Sequence, residues 1–500
     1  MTRAPDRVFD LLVVGGGING VGIARDAAGR GLAVLLAEKG DLARATSSAA
    51  TKLIHGGLRY LEQYEFRLVR EALAEREVLP HMAPHIIWPL RFVLPHDRHL
   101  RPAWMIRIGL FLYDHLGGRT TLPGSEGVDL ARAPEGRPLK DDYRKGFVYS
   151  DCWVDDARLV VLNAVGLRDL GGTVLTRTSL TAARREGDLW RATLKNERTG
   201  ETQEVAARGL VNAAGPWVGE VLSGALGVNA RAQVRHIKGS HIVVPKLFDG
   251  GHAYIFQHPD GRVIFAIPYE GRFTLVGTTD IPYQGNLDQP AIDGAETEYL
   301  CGAVSRYFAK QVTPDEVVWS YSGVRPLYDD GSTDPSDVTR DYVLQMEEGT
   351  PPLLSVYGGK LTTYRCLAEQ ALERLEPYYG GLKPAWTSGP TLPGGDFGGR
   401  SFDALIDDLV SAYPAIDRAL LAGLARRQGT RAREVLGDAR SVADLGRDFG
   451  GGLYAREIEY LVAQEWAETA DDILWRRTKL GLHLPPGGAQ QVTRYLAERK

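Results

Sequence analysis

An apolar run from Phe9 to Val14 leads directly into Gly15-x-Gly17-x-x-Gly20, and this junction restricts the fold more than any other feature of the chain. A helix of small residues follows (Gly22, Ala24, Ala27, Ala28). A second apolar strand, Leu32 to Ala37, then ends on Glu38. Strand, glycine turn, helix, strand and acid, in that order, form the arrangement that takes the ADP half of a dinucleotide. Gly15 permits the tight turn, Gly17 lets the backbone approach a pyrophosphate, and Gly20 lets helix and strand pack closely. The helix N-terminus offers free N–H groups and the positive end of a dipole to the phosphates. Glu38 can accept from a ribose hydroxyl.

Around this unit there is ample chain for a core. Five hundred residues predict about two to four domains. A hydrophobic content of 44% and a charged content of 24% are those of an ordinary globular protein. A net charge of −4 argues against bulk electrostatic binding of nucleic acid. Cys152, Cys301 and Cys366 are far apart and form no CxxC, so a disulfide framework or cysteine metal site is not expected, and a reducing compartment fits best. No signal peptide is expected, because Leu11–Val14 is short, follows Asp10 and enters the glycine turn. No uninterrupted apolar stretch of about 18 residues is present, so no spanning helix is expected. Residues 98–119 mix Trp104, Met105, Ile106, Ile108, Phe111 and Leu112 with Arg98, Arg101, Arg107 and Arg119. That mixture suits either a helix lying in a membrane interface or a buried helix with snorkelling arginines.

The pattern predicts an α/β fold whose nucleotide domain is discontinuous, assembled from 9–95, 150–232 and 347–387. Glu65–Leu79 has helical spacing and is expected to stop at Pro80. Residues 120–150, rich in Gly, Pro and charge, read as loop. Asp156–Leu170 reads as a helix, and Leu189–Leu194 with Glu201–Ala207 as a hairpin. Short strands at Ser240–Val244, Val263–Pro268, Phe273–Thr278 and Tyr342–Gln345 predict an antiparallel sheet in a substrate-side domain formed by 96–149 and 233–346. Leu353–Tyr357 then returns as a buried strand, followed by Gly358-Gly359 and a helix from about Leu361 to Leu375. Ser388–Arg400 reads as a linker, and 401–500 as a helical C-terminal domain.

Three glycine turns, at Gly15, at Asn212-Ala-Ala-Gly-Pro216 and at Gly358-Gly359-Lys360, are expected to converge on one ligand. A late return of the chain to add a third turn suits FAD better than a nicotinamide dinucleotide. Arg59 (in His55-Gly-Gly-Leu-Arg59-Tyr60), Arg325, Arg340 and Lys360 each set a cation beside a turn or strand end, where they could clamp a phosphate or make surface salt bridges. His241, near the head of a predicted strand, could take the proton of a substrate hydroxyl or serve as a hydrogen-bonded structural residue. His81-x3-His85 has ligand spacing, but Pro84 spoils a regular helix, so no metal site is expected.

These residues sit in long strings: GGGINGVGIARDAAGRGL, ATSSAATKLIHGGLRYLEQYEFRLVREALAERE, IKGSHIVVP, VGTTD, YSGVRPL, YGGKLTTYR and WAETADDILWRRTKLGL. Over essentially its whole length the chain resembles the FAD-dependent, quinone-linked (aerobic) glycerol-3-phosphate dehydrogenases of bacteria. The resemblance implies an FAD-binding Rossmann-like domain, an antiparallel-sheet substrate domain and a helical C-terminal domain. It implies oxidation of glycerol 3-phosphate to dihydroxyacetone phosphate, electrons leaving through FAD to membrane quinone, a homodimer, and peripheral attachment to the cytoplasmic face of the cell membrane. By the same resemblance, substrate-side residues fall on Arg59, Tyr60, Arg325, Arg340 and Lys360, with His241 as base and Lys360 and Arg325 also catalytic. FAD contacts fall on Gly15, Gly17, Gly20, Glu38, Thr46, Ser47, Ser48, Lys52, His55, Ala214, Gly215, Gly359, Leu361 and Thr362. The family's anaerobic relatives carry cysteine-rich C-terminal regions, which this chain lacks. Rival readings are a glycerol-3-phosphate oxidase making hydrogen peroxide, an amine or amino-acid oxidase on the same fold, and a non-catalytic dinucleotide sensor or membrane scaffold.

Overall fold

The computed structural model describes residues 8–61, 65–97, 99–118, 121–228, 234–329 and 341–499. Its first sheet runs in the order Val343–Glu347, Leu353–Tyr357, Thr202–Asn212, Val8–Val14, Val34–Ala37, Thr173–Leu175. From Leu353–Tyr357 to Thr173–Leu175 the neighbours are parallel. Leu11–Val14, Val34–Ala37 and the end of Thr202–Asn212 are near-continuous apolar runs because both faces are covered there, as parallel sheets require. On one face lie the helices Ile18–Gly29, Asp156–Asp169 and Tyr364–Leu375, whose Ala24, Ala164 and Ala368 share a core with Leu11 and Val13. The other face packs Trp190, Val218 and Leu222 against Leu12 and Leu210.

The second sheet carries the order Ile281–Pro282, Val234–Pro245, Phe273–Gly277, Val263–Tyr269, Ala253–Gln257, Ile87–Pro95, Lys145–Val154, Leu53–Ile54. Trp319–Tyr328 pairs with Val234–Pro245 along ten residues. The sheet is antiparallel apart from the junction of Ala253–Gln257 with Ile87–Pro95. Helices from Phe402 to Glu498 close around a separate apolar core that includes Leu409, Leu424, Ile458 and Val492.

Several expectations need correction. The helix after Glu65 runs Phe66–Met82 straight through Pro80, which sits in its last turn. So near the C-terminal end, the missing N–H of Pro80 costs the helix one bond, to the Arg76 carbonyl. The segment read as loop at 120–150 contains Glu126–Asp129 and most of Lys145–Val154, whose nine-residue register with Ile87–Pro95 comes from distant pairing. Ile87–Pro95 and Leu53–Ile54, assigned to the nucleotide domain, lie in the second sheet. Conversely, Val343–Glu347, expected in the antiparallel sheet, edges the first sheet against Leu353–Tyr357. The helix expected from Leu361 starts at Tyr364, after a turn over 361–363.

Candidate active site

The first glycine turn is built as its sequence requires. Gly15 has φ +115°, and a Cβ there would lie 2.4 Å from the Ala213 carbonyl. A Cβ on Gly20 would fall 1.9 Å from the Gly15 carbonyl, so Gly20 sets the helix–turn distance. Gly20 does not line the cavity, which corrects its assignment as a cofactor contact. Gly17 caps the helix Ile18–Gly29 without a side chain, and Ser47 Oγ accepts from the Ile18 amide at 3.0 Å. Glu38 is half-buried; it accepts from the Gly16 amide at 2.6 Å and the Gly40 amide at 2.7 Å. Burial raises its pKa against those two hydrogen bonds. Each carboxylate oxygen keeps acceptor capacity for a ribose hydroxyl.

All three turns meet in one cavity of about 430 Å³. Asn19 Nδ2 donates to the Gly358 carbonyl at 3.0 Å, which ties the first turn to the third. Ala213 N–H donates to Val14 at 2.9 Å, which ties the second to the first strand. Ala214, Gly215, Gly359, Leu361, Thr362, His55 and Thr46 line the walls with Gly15, Gly17, Glu38 and Ser47. Thr46 Oγ1 donates to the Val324 carbonyl at 2.6 Å and so fastens this loop to the second sheet. Two assigned FAD contacts turn away. Lys52 is fully buried with Nζ 2.8 and 2.9 Å from the Asp156 carboxylate, and Ser48 Oγ faces the Ala45 carbonyl; neither lines the cavity.

The second sheet supplies the other wall. His241 is 1% exposed yet reaches the cavity. Its Nε2 lies 3.0 Å from Thr51 Oγ1, and its ring stacks on Tyr321 at 4.8 Å between centroids. Burial first, and then the charges of Arg325 and Lys52, hold its pKa well below the ordinary value, so the imidazole is neutral at pH 7. Arg325 bonds Asp280 and Thr278 Oγ1 (3.1 Å). Lys360 Nζ sits 3.6 Å from the Tyr60 ring centre. Tyr60, Arg325, Lys360 and His241 therefore share one cavity. The side chain of Arg59 and the whole of Arg340 lie outside the described residues. Thr51, Tyr321 and Asp280 escaped the sequence reading. Each nonetheless stands in one of the motif strings: Thr51 beside Lys52, Asp280 at the end of VGTTD and Tyr321 at the start of YSGVRPL.

The cavity fits FAD. Backbone amides at two glycine turns can take a pyrophosphate, a half-buried acid stands beside the first turn where it would meet a ribose, and a second wall carries polar groups for a substrate. The comparisons agree. Residues 10–365 match the model of the FAD dependent oxidoreductase family, and 386–497 match that of the C-terminal domain of alpha-glycerophosphate oxidase. A glycerol-3-phosphate dehydrogenase of Pseudomonas aeruginosa is 56% identical over 98% of this chain and 95% of its own. A D-erythritol 1-phosphate dehydrogenase of Brucella abortus is 55% identical over 96% of each. The crystal structure of glycerol-3-phosphate dehydrogenase from Bacillus halodurans complexed with FAD superimposes with a TM-score of 0.78 at 27% identity, covering 99% of this chain and 91% of that one. The chain belongs to the FAD dependent oxidoreductase family and, within it, to the FAD-dependent glycerol-3-phosphate dehydrogenases. It is an oxidoreductase that carries FAD.

Proposed function

We propose that the protein oxidises sn-glycerol 3-phosphate to dihydroxyacetone phosphate and passes the electrons to membrane quinone. Bound FAD supplies the two-electron acceptor for the C2 hydride. Arg325 and Lys360, with Tyr60, hold the phosphate dianion, and Arg59 and Arg340 join them on the strength of the family resemblance. The guanidinium binds in a fork and the ammonium as a point charge. His241 takes the proton of the C2 hydroxyl. The observation that carries this reading is a buried imidazole, held neutral by its surroundings, opening on the same cavity as Arg325 and Lys360. An anaerobic titration of flavin absorbance with glycerol 3-phosphate tests it. Full bleaching at one equivalent supports the reading, and an unchanged spectrum removes it. D-Erythritol 1-phosphate belongs in the same titration because its dehydrogenase in Brucella abortus is as similar to this chain as the glycerol-3-phosphate enzymes.

The electron acceptor is inferred from a surface. On the helix Ala103–Leu116 only Leu110 and Tyr113 are buried. Trp104 (64% exposed), Ile108, Phe111 (54%) and Leu112 face outward beside Arg101 and Arg107. Among the described residues no helix is long and apolar enough to cross a membrane. An outward apolar face rimmed by arginine suits a helix lying in a bilayer interface, on the cytoplasmic side by resemblance, with the enzyme a homodimer. Flotation with anionic vesicles tests the face, and loss of binding in Trp104→Ser/Phe111→Ser is the expected result. The second reading, a glycerol-3-phosphate oxidase, draws on the match of 386–497 to an oxidase C-terminal domain. Peroxide yield measured against reduction of a quinone analogue separates the two.

A further inference from the structure

The loop from Glu38 to Lys52 lines the cofactor cavity almost without a break, except at Gly40–Leu42, Ser48 and Lys52. At two of these breaks a charged side chain, Asp41 or Lys52, points away from the cavity and is buried (2% and 0% exposed). Both are gripped, directly or at one remove, by a short stretch of the C-terminal domain. Arg477, itself 0% exposed on its side chain, forks onto Asp41 with two hydrogen bonds of 2.8 Å. Arg476 Nε adds a third at 2.6 Å. Burial pushes the Asp41 carboxyl up, but the two guanidinium groups outweigh it and hold the pKa at about 2. At the other end, Lys52 pairs with Asp156, whose carboxylate also accepts from the Ala50 amide at 3.1 Å. Lys479 Nζ stands 3.3 Å from the neighbouring Asp155. Between these ends Trp475 stacks on Trp319 at 4.3 Å. Trp319 in turn packs on Tyr321, whose hydroxyl donates to the Ala50 carbonyl at 2.9 Å.

We propose that Arg476 and Arg477 are positioning residues that hold the FAD-binding loop closed, so that the helical C-terminal domain forms part of the cofactor site. Beyond these two arginines the Asp41 side chain has no close ionic partner among the described residues, since Arg177 stands 3.6 Å off and gives its closer bond to Asp472. Near Asp41 the loop is otherwise held by backbone bonds to Gly40 (2.8 Å) and Glu38 (2.7 Å) and by the exposed pairs of Lys39 and Arg44 with Asp288. Ala43 N–H meets the Gly16 carbonyl at 3.0 Å, two residues beyond Asp41, so a shift at Asp41 passes straight to the glycine turn. Coupling of this kind is reciprocal: FAD must favour the docked C-terminal domain as much as the docked domain favours FAD. The inference rests on FAD binding and not on the identity of the substrate.

The test uses the full-length holoenzyme. Asp41→Asn, Arg476→Gln and Arg477→Gln are compared with Arg431→Gln, which breaks a solvent-exposed contact of the same domain with Asp169. The first three are expected to raise the FAD dissociation constant about ten- to a hundredfold, the loss of charge-assisted hydrogen bonds. Their flavin fluorescence should be released at a temperature below that of the far-UV unfolding transition. Arg431→Gln should stay within about twofold. Excess FAD should restore full flavin reduction in the three and, by reciprocity, slow proteolysis of their C-terminal domain. If Arg477→Gln does not fold, the nearly isosteric Asp41→Asn and the milder Arg476→Gln decide. An unchanged dissociation constant in these variants overturns the proposal, as does an equal loss in Arg431→Gln, which would assign the effect to domain docking in general. Wild-type protein that retains no flavin would refute the cofactor reading itself, a distinct result.

Discussion

Replacing His241 by Asn tests the chemistry most directly. The side chain is 1% exposed, and two cations, Arg325 and Lys52, keep it neutral after burial has already disfavoured its charge. A neutral imidazole at the cavity wall is a competent proton acceptor, and a positioned base contributes about 10²- to 10⁴-fold in rate, or about 3–5 kcal/mol. The neighbouring Thr51 Oγ1, 3.0 Å from Nε2, only orients the ring. A neutral hydrogen bond of that kind is worth about 0.5–1.5 kcal/mol, so Thr51→Val should cost about tenfold at most. Anaerobic stopped-flow reduction of the flavin by glycerol 3-phosphate reads both numbers free of reoxidation. His241→Asn should lose at least 10²-fold with the flavin spectrum intact, because His241 belongs to none of the three glycine turns. The acid limb of the rate should lie below pH 6.5, since the folded-state pKa is depressed and the base is lost only as pH falls through it. Arg325→Gln removes one of the repelling charges and should move that limb upward. Wild-type reduction by His241→Asn, or a limb above pH 6.5, would refute the assignment.

Arg325→Ala should lower kcat/KM for the phosphate substrate by about 10²-fold while FAD stays bound; a loss confined to flavin binding would place Arg325 on the wrong ligand. His85 gives a stability test. It is buried, its pKa is driven down to about 3 by desolvation and then by Arg158 and Arg426, and it packs near Phe397 of the C-terminal side. Between that value and the ordinary 6.5 the unfolded chain binds the extra proton, so stability falls as the solution is acidified, by about 2 kcal/mol between pH 7 and pH 5. Denaturant midpoints of His85→Leu at the two pH values should show a correspondingly shallower loss than wild type. Gly20→Ala should yield apoprotein, because its Cβ would overlap the Gly15 carbonyl; normal flavin content in that variant would show that the turn can relax.

Much of the fold was legible because its signals are short-range. The glycine turn after Val8–Val14, the mostly apolar Leu353–Tyr357 and the helix Asp156–Asp169 declare themselves within about a dozen residues, through backbone sterics and periodicity. Sheet membership did not. Lys145–Val154 has a polar approach and reads as loop until Ile87–Pro95 lies beside it, and Val343–Glu347 looks like any strand of the other sheet. The first depends on a partner 51 to 67 residues away. The second is a local hairpin, but the sheet it joins is decided by the pairing of Leu353–Tyr357 with Thr202–Asn212, 143 residues away, which no local window contains.

The site divides the same way. Residue identity alone determined the glycine turn at Gly15 and Gly17 beside Glu38, since Gly15 takes a backbone conformation that favours glycine, and the motif strings marked His241, Arg325 and Lys360. Tertiary packing decided the rest. It turned Lys52 and Ser48 away from the cavity and set Thr51 and Tyr321 against His241. It brought Arg476 and Arg477 from the far end of the chain onto Asp41. A backbone conformation is encoded by the residues that adopt it, whereas the direction a charged side chain takes is fixed by whichever partner the folded chain delivers to it.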